Sequence, residues 1–201
     1  DLHSFPTRRS SDLNLYLYAR GQGLEKSVGQ ARRWYQKAAE QGNAKAQIRL
    51  GDLYAHGSWL RRSSGQARRW YQKAAEQGDA EGQYVLARFY LEGRGQPKDI
   101  DLGLSWLRKA AAQEYDEACF LLGRMYEEGQ DMSQNSQQAA EWLRKAARKG
   151  HVEAMRRLGL LCLEGRGLPQ DDREASKWLY SAAEEGERLR SEERRVGKEC
   201  R

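Results

Sequence analysis

The sequence predicts an all-α solenoid assembled from 36-residue helix-turn-helix repeats. The main observation is that five of the six tryptophans are spaced by 36 residues: Trp34, Trp70, Trp106, Trp142 and Trp178. A pair of alanines follows each of them by four and five residues, so the period extends to a second residue type. A constant period of about 20 to 50 residues is typical of proteins in which similar units stack on one another. We therefore expect the phased aromatic residues to form the core, with Trp106, in an interior repeat, largely buried.

The same period divides the chain into units without insertions. Each complete unit has a Leu-Gly or Leu-Ala step, and the residue four positions after this Leu is a tyrosine, or Cys162 in the last unit. Cutting at these positions gives one partial and four complete repeats. Their boundaries are 14–42 (partial), 43–78, 79–114, 115–150 and 151–186.

The first half of each unit is predicted to be a helix, which we call helix A. In the second unit Ala46, Leu50, Leu53 and Tyr54 recur at three- and four-residue steps, which places them on one helical face. A glycine follows each helix A and is the usual residue at the end of a helix. These glycines are Gly57, Gly93, Gly129 and Gly165.

The second half of each unit is predicted to be helix B. It is preceded in every repeat by a residue whose side chain can accept a hydrogen bond from the first turn of a helix. These residues, again 36 apart, are Ser27, Ser63, Asp99, Asn135 and Asp171. A glycine is expected to end most copies of helix B: Gly42, Gly78, Gly150 and Gly186.

The repeat consensus resembles a known family. Residues 46–57 read Ala-x-x-x-Leu-Gly-x-x-Tyr-x-x-Gly, and residues 67–78 read Ala-x-x-Trp-x-x-Lys-Ala-Ala-x-x-Gly. This pattern is similar to the Sel-one-like repeat, a relative of the tetratricopeptide repeat. The resemblance implies a right-handed α-α superhelix that binds proteins or peptides as a scaffold or adaptor, without a cofactor and without enzymatic activity. Tetratricopeptide repeats proper are the second choice, because their period is about 34 residues.

The two ends of the chain differ from the repeats. A nucleotide sequence that encodes residues 190–200 also encodes residues 3–13 on its complementary strand, so we interpret both ends as translated sequencing adapter. On this interpretation 1–13 is non-native, 14–186 is the solenoid, and 187–201 is a truncated repeat start with an adapter-derived tail. The natural N-terminus is then missing, and the sequence leaves open whether the protein is cytoplasmic, periplasmic or secreted.

Composition argues against several classes of function. Without 1–13 and 190–201 the chain keeps 28 basic and 24 acidic residues, a net charge of +4 instead of +6. This surplus is too small to indicate nucleic-acid binding by itself, and no apolar run has the length of a membrane span. His56 and His151 lie in different repeats without further ligands nearby, so we expect no metal site. Cys119 and Cys162 are expected to be buried free thiols.

The candidate binding surface follows from the family resemblance. In related solenoids helix A lines the binding groove, and its exposed flank lies beside the Leu/Tyr stripe. This flank holds Lys45, Ile48, Asp52, Glu81, Tyr84, Arg88, Glu117, Phe120, Arg124, Glu153, Arg156 and Leu160, with His56, Glu92, Glu128 and Glu164 at its end in each repeat. Trp59 replaces a glycine that stands at positions 23, 95 and 167, so it is either an exposed anchor for a partner or folded over its own loop.

Two functions of different classes follow. The first is a scaffold that binds a basic or amphipathic polypeptide along the helix A groove, because acidic residues outnumber basic ones there by seven to four. The alternative is a nucleic-acid-binding helical-repeat protein that uses the basic residues of helix B. Charge disfavours this alternative, because phosphate contacts require positive charge where the strand lies. Both surfaces are also compatible with ordinary solvated helix faces.

Overall fold

A computed structural model describes residues 28–56 and 62–199, with side chains described at 33–56 and 62–191. This part of the chain contains nine helices and no strand, which confirms the all-α repeat fold. The helices are α1 (Val28–Glu40), α2 (Ala44–His56), α3 (Ser64–Glu76), α4 (Ala80–Glu92), α5 (Ile100–Ala112), α6 (Asp116–Glu128), α7 (Ser136–Arg148), α8 (Val152–Glu164) and α9 (Asp172–Glu199). Helix A of successive repeats is α2, α4, α6 and α8, and helix B is α1, α3, α5, α7 and α9. The chain divides into two compact units, up to Ala74 and from Ala75 onwards.

The predicted N-terminal caps of helix B and the predicted glycines at the end of helix A are confirmed wherever the structure describes them. The Asp99 carboxylate accepts a hydrogen bond from the Leu102 N–H at 3.0 Å, and the Asn135 side chain accepts one from Gln138 at 3.0 Å. At the ends of α4, α6 and α8 the predicted glycines adopt φ angles of 66°, 66° and 64°, which are left-handed. Glycine tolerates this conformation best because it has no Cβ. Ser27 and Gly57 lie outside the described residues.

Each helix A is tied to the helix B that follows it by the same backbone hydrogen bond. The N–H of the capping residue of helix B donates to the carbonyl oxygen nine residues earlier, near the end of helix A. The four bonds are Ser63 to Tyr54 (3.0 Å), Asp99 to Tyr90 (3.1 Å), Asn135 to Tyr126 (2.9 Å) and Asp171 to Cys162 (3.1 Å). The phase of these positions in the sequence therefore reflects one loop closure that recurs in each of the four complete repeats.

The last helix departs from the prediction. Helix α9 continues through Gly186 to Glu199 and has 28 residues, whereas each of the other helices has 13. The expectation that helix B ends at Gly186 is therefore wrong. The physical reason is that the residues after Gly186 are rich in Glu and Arg, which favour helix, and provide no helix A pattern to pack back on the repeat.

The core of the second unit is one cluster that runs through all of its repeats. Its largest enclosed side chains come from α5, α6, α7 and α8 and are at most 1% exposed: Leu107, Leu122, Leu143, Leu158 and Leu161. Two glycines of helix A allow helix B to approach closely. A Cβ atom built on Gly123 would lie 2.9 Å from Leu143 Cγ, and one on Gly159 would lie 2.8 Å from Leu179 Cγ.

The phased tryptophans lie at the edge of this core. Trp106, Trp142 and Trp178 pack against it but are only partly buried, and in the first unit Trp34 is 52% exposed. The expectation of a largely buried Trp106 is thus only partly met, because the next residue, Leu107, takes the central position. A lysine three residues later covers the tryptophan ring in three repeats. The ammonium-to-centroid distances are 4.4 Å (Lys73), 4.0 Å (Lys109) and 4.1 Å (Lys145).

The first unit has a smaller core of its own. Tyr35, Ala39, Ala46 and Leu50 are buried together, with Trp70 partly buried against them. In this unit the Tyr71 ring of helix B packs directly against Gly51 of helix A. A Cβ atom at Gly51 would overlap this ring. The Tyr71 hydroxyl donates a hydrogen bond to the Asp52 carboxylate at 2.8 Å.

Buried glutamines join helix A to the helix B before it. Gln83 Nε2 donates to the Ala75 carbonyl at 3.3 Å, and its Oε1 accepts from Gln113 Nε2 at 2.9 Å. In the first unit Gln47 at the same repeat position donates to Ala39 at 3.0 Å. The sequence pattern did not reveal this link, because the corresponding residue one repeat later is a cysteine, Cys119. The Cys119 thiol lies 3.6 Å from the Ala111 carbonyl oxygen.

Substitution of Gln83 by leucine tests whether this link contributes to stability. The side chain is 6% exposed, and its loss leaves the Gln113 amide without its side-chain acceptor. We expect the free energy of unfolding to fall by about 1–2 kcal/mol, measured by urea denaturation with circular dichroism. The same substitution at the exposed Gln72 is the control, and equal losses for the two variants would contradict a specific role of Gln83.

Candidate functional site

The structure places the predicted flank of the second unit on one face of α4, α6 and α8. We call it the helix A row, defined as Glu81, Tyr84, Arg88, Glu117, Phe120, Arg124, Glu153, Arg156 and Leu160. None of the nine is buried, and Leu160 is 38% exposed. The row is therefore accessible, which a binding surface requires.

Aromatic pairs connect the row from one repeat to the next. The Tyr84 and Tyr115 rings lie 5.4 Å apart at 53°, and the Phe120 and His151 rings stack at 4.2 Å and 23°. Burial raises the pKa of Tyr84, and burial together with the nearby carboxylate of Glu81 raises the pKa of Tyr115. Both phenols thus stay neutral at physiological pH and can act as hydrogen-bond donors.

His151 has a structural role that its sequence context did not suggest. Its Nδ1 accepts the Ala154 N–H at 3.1 Å, so it caps α8, and its Nε2 lies 3.5 Å from a Glu117 carboxylate oxygen. A neutral imidazole that accepts a hydrogen bond at Nδ1 carries its hydrogen on Nε2, so the Nε2–H group of His151 faces the Glu117 carboxylate. Tyr115 and His151 were missed as row partners although both immediately precede a helix A, 36 residues apart.

Most carboxylates of the row and its ends are paired internally. Glu92 accepts hydrogen bonds from Arg88 at 2.6 and 2.8 Å and also contacts Arg94. Burial alone would raise the pKa of Glu92, but the hydrogen bonds from both arginines outweigh it and lower that pKa. Glu153 is held by Arg156 at 2.5 Å, and this hydrogen bond is the main reason why its pKa is also lowered. The row therefore carries less free negative charge than its sequence suggests.

Arg157 links α8 to α6 beneath the row. Its guanidinium lies 2.7 Å from Glu127, 3.4 Å from Glu128 and 3.2 Å from Glu153. Sequence reasoning missed both Arg157 and Glu127. Each is one residue away from a predicted flank residue, and only the rotation of successive helices shows that they meet.

Arg124 differs from the corresponding arginine one repeat earlier. Its Nε lies 3.9 Å from Glu128, is buried and has no hydrogen-bond acceptor. At the equivalent position, Arg88 Nε donates to Glu92 at 2.8 Å. The guanidinium of Arg124 lies 6.0 Å from the Phe120 ring centre. The row thus contains one arginine whose hydrogen-bonding capacity is not used.

Three predicted residues belong to the first unit, and one of them must be corrected. Ile48 is 1% exposed and cannot be a surface contact. The buried arc of α2 is wider than the Leu/Tyr stripe and includes Ala46 and Gln47, and an aliphatic side chain gains by joining it. Lys45 is exposed and Asp52 is partly exposed, as predicted. Trp59 lies outside the described residues.

The structure shows few other groups suited to chemistry. Cys119 and Cys162 are buried free thiols as predicted, and burial raises the pKa of Cys119 to about 11. Among residues 28–56 and 62–199 no cluster of three or more His, Cys, Asp or Glu side chains could hold a metal ion. In the same ranges no helix is both long and apolar enough to cross a membrane.

The family model of the Sel1 repeat matches the chain five times, at residues 11–43, 44–79, 80–115, 116–151 and 152–187. Two solved structures are similar at 34% sequence identity. A protective antigen of uropathogenic Escherichia coli that displays an SLR fold matches 86% of this chain with a TM-score of 0.77. A Sel1 repeat protein from Oxalobacter formigenes matches 90% of this chain and 72% of its own, with a TM-score of 0.74.

A third similar structure is a putative Sel1 repeat protein from Klebsiella pneumoniae. It is 27% identical over 76% of this chain and 73% of its own, with a TM-score of 0.54. The chain spans 37% of the length of the E. coli antigen. A comparison with functionally curated proteins found no match.

Proposed function

Because the chain belongs to the Sel1 repeat family, whose members are generally protein-interaction scaffolds, we propose that it binds a partner polypeptide along the helix A row. The main support is that the same order of an acidic, an aromatic and a basic residue occurs on helix A of two successive repeats. Glu81, Tyr84 and Arg88 on α4 correspond to Glu117, Phe120 and Arg124 on α6, and all six are partly exposed.

The proposed partner is an amphipathic segment. Its apolar side chains would contact the exposed edges of Tyr84 and Phe120, and its basic side chains would face Glu81 and Glu117. Glu153 contributes less, because Arg156 and Arg157 already hold its carboxylate.

The helix B alternative has weaker physical support. Three of its lysines are engaged with protein, since Lys73, Lys109 and Lys145 each lie over a tryptophan ring. The Sel1 repeat is typically a non-enzymatic scaffold fold, and we propose no catalytic role for this chain.

Peptides selected from a random phage-displayed library on the purified protein would test the proposal. We expect the double variant Glu81→Lys and Glu117→Lys to weaken binding of the selected peptides roughly tenfold, because two attractive contacts become repulsive. Binding should also weaken as salt rises, since exposed charges are screened within about 8 Å at 0.15 M. Dissociation constants from fluorescence anisotropy are the measurement.

The matched control reverses two exposed charges on helix B, Arg69→Glu and Arg108→Glu. If both double variants have similar melting temperatures, a difference in their affinities reflects the altered surface charges and not a loss of folding. A larger loss of affinity for the helix B variant would move the binding face away from the helix A row. Library selection that yields no specific peptide would count against the proposed function as a whole.

A further inference from the structure

Arg124 has an unused hydrogen-bonding capacity in the middle of the helix A row. We propose that Arg124 anchors an acidic side chain, Glu or Asp, of the polypeptide that lies along this row. The inference rests on the proposed function and adds a chemical requirement to it. The partner must carry one carboxylate opposite α6 in addition to its apolar and basic residues.

The comparison with Arg88 isolates what is special about Arg124. Both arginines stand four residues after an aromatic residue and four residues before a glutamate. Arg88 satisfies its guanidinium with two bonds to Glu92, at 2.6 and 2.8 Å. Arg124 reaches Glu128 only at 3.9 Å, and its buried Nε has no acceptor. Because this Nε is enclosed, a partner carboxylate would bind the exposed remainder of the guanidinium, which Glu128 does not hold in hydrogen-bonding range.

The carboxylate beside Arg124 has a second arginine partner, which comes from the next helix A. Arg157 on α8 lies 3.4 Å from Glu128, closer than Arg124 does. Arg157 thus forms ion pairs with three carboxylates, those of Glu127, Glu128 and Glu153. An incoming carboxylate can replace Glu128 at Arg124 without leaving Glu128 unpaired, since Arg157 remains as its partner.

The surroundings of Arg124 also fit an acidic side chain. The Arg124 side chain is 38% exposed, so a partner can reach it. Arginine binds carboxylates through charge-assisted hydrogen bonds, which are about twice as strong as neutral ones. Phe120 lies beside the guanidinium, so the acidic residue of the partner would be flanked by an apolar contact.

End-blocked synthetic versions of the library-selected peptides would test the inference, each made in two forms that differ in one Glu or its replacement by Gln. Blocking both ends leaves side chains as the only carboxylates. We expect the Glu form to bind about tenfold more tightly than the Gln form. In Arg124→Gln this preference should vanish, whereas Arg88→Gln should retain it.

A second variant gives a change of opposite sign. Glu128→Gln removes the internal competitor of the incoming carboxylate, so the preference for Glu over Gln should rise about twofold to fivefold. Misfolding does not produce such an increase, and the Gln peptide corrects for the general change in charge. The helix B variant Arg108→Gln serves as the control for an arginine outside the row.

The outcomes separate this inference from the proposed function. Peptides that bind the helix A row without any preference for Glu over Gln, or with a preference that persists in Arg124→Gln, would overturn the anchor while leaving the row as the binding surface. If no peptide binds the row, both proposals fail.

Discussion

Substitution of Gly123 by valine is expected to destabilise the second unit by about 3 kcal/mol. A Cβ atom at this position would lie 2.9 Å from Leu143 Cγ and 3.1 Å from the Leu143 backbone nitrogen. The backbone contact cannot be relieved by a rotamer change, so α6 and α7 would have to move apart. Urea denaturation followed by circular dichroism measures the loss.

Gly65 provides the matched control on another helix. A Cβ atom there would meet no atom within 4 Å, so Gly65→Val should leave stability nearly unchanged or raise it slightly, because valine favours helix over glycine. In the double variant Gly123→Val and Leu143→Ala, part of the clash is removed, and the two losses should not add. Equal effects of valine at positions 65 and 123 would argue against close packing at Gly123.

The second large effect is expected at Leu107. This side chain is 0% exposed at the centre of the core, and its truncation to alanine should cost about 4 kcal/mol. Trp106 has more atoms, but it lies at the core edge under the Lys109 ammonium, so Trp106→Ala should cost no more than about 3 kcal/mol.

The neighbouring Arg108 completes this comparison within one helical turn. It is exposed, and Arg108→Ala should change the free energy of unfolding by less than about 0.5 kcal/mol. The expected ranking is therefore Leu107, then Trp106, then Arg108. A larger loss at Trp106 than at Leu107 would restore the tryptophan as the centre of the core, as its regular spacing suggested.

The features that the sequence predicted correctly are local ones. The caps at Asp99, Asn135 and Asp171 and the left-handed glycines at positions 93 and 129 depend on a few neighbouring residues. Their chemistry can be recognised without knowing the tertiary structure. The 36-residue period then fixes how often this local structure recurs.

The features that the sequence missed depend on how successive helices are rotated. The contacts from Tyr84 to Tyr115 and from Glu127 to Arg157 join residues about 30 apart, and no local pattern specifies which flank residue meets which. The same limitation explains Ile48. It lies beside the Leu/Tyr stripe in the sequence pattern and was therefore predicted to be exposed, but it is buried. The limitation also explains the continuation of α9 past Gly186, since a glycine ends a helix only if the next segment folds back.

The glutamine link described above also bears on how the chain reaches its native state. The Gln113 amide donates to the Gly78 carbonyl, a bond that joins residues 35 apart, close to one repeat length. The entropy lost in closing a loop grows with the logarithm of the loop length. A loop of about one repeat therefore costs less entropy than a contact between distant repeats would. The conformational search in the second unit therefore stays local, and low contact order of this kind is associated with folding in microseconds to milliseconds. A solenoid can thus gain repeats during evolution without a slower search for its native contacts.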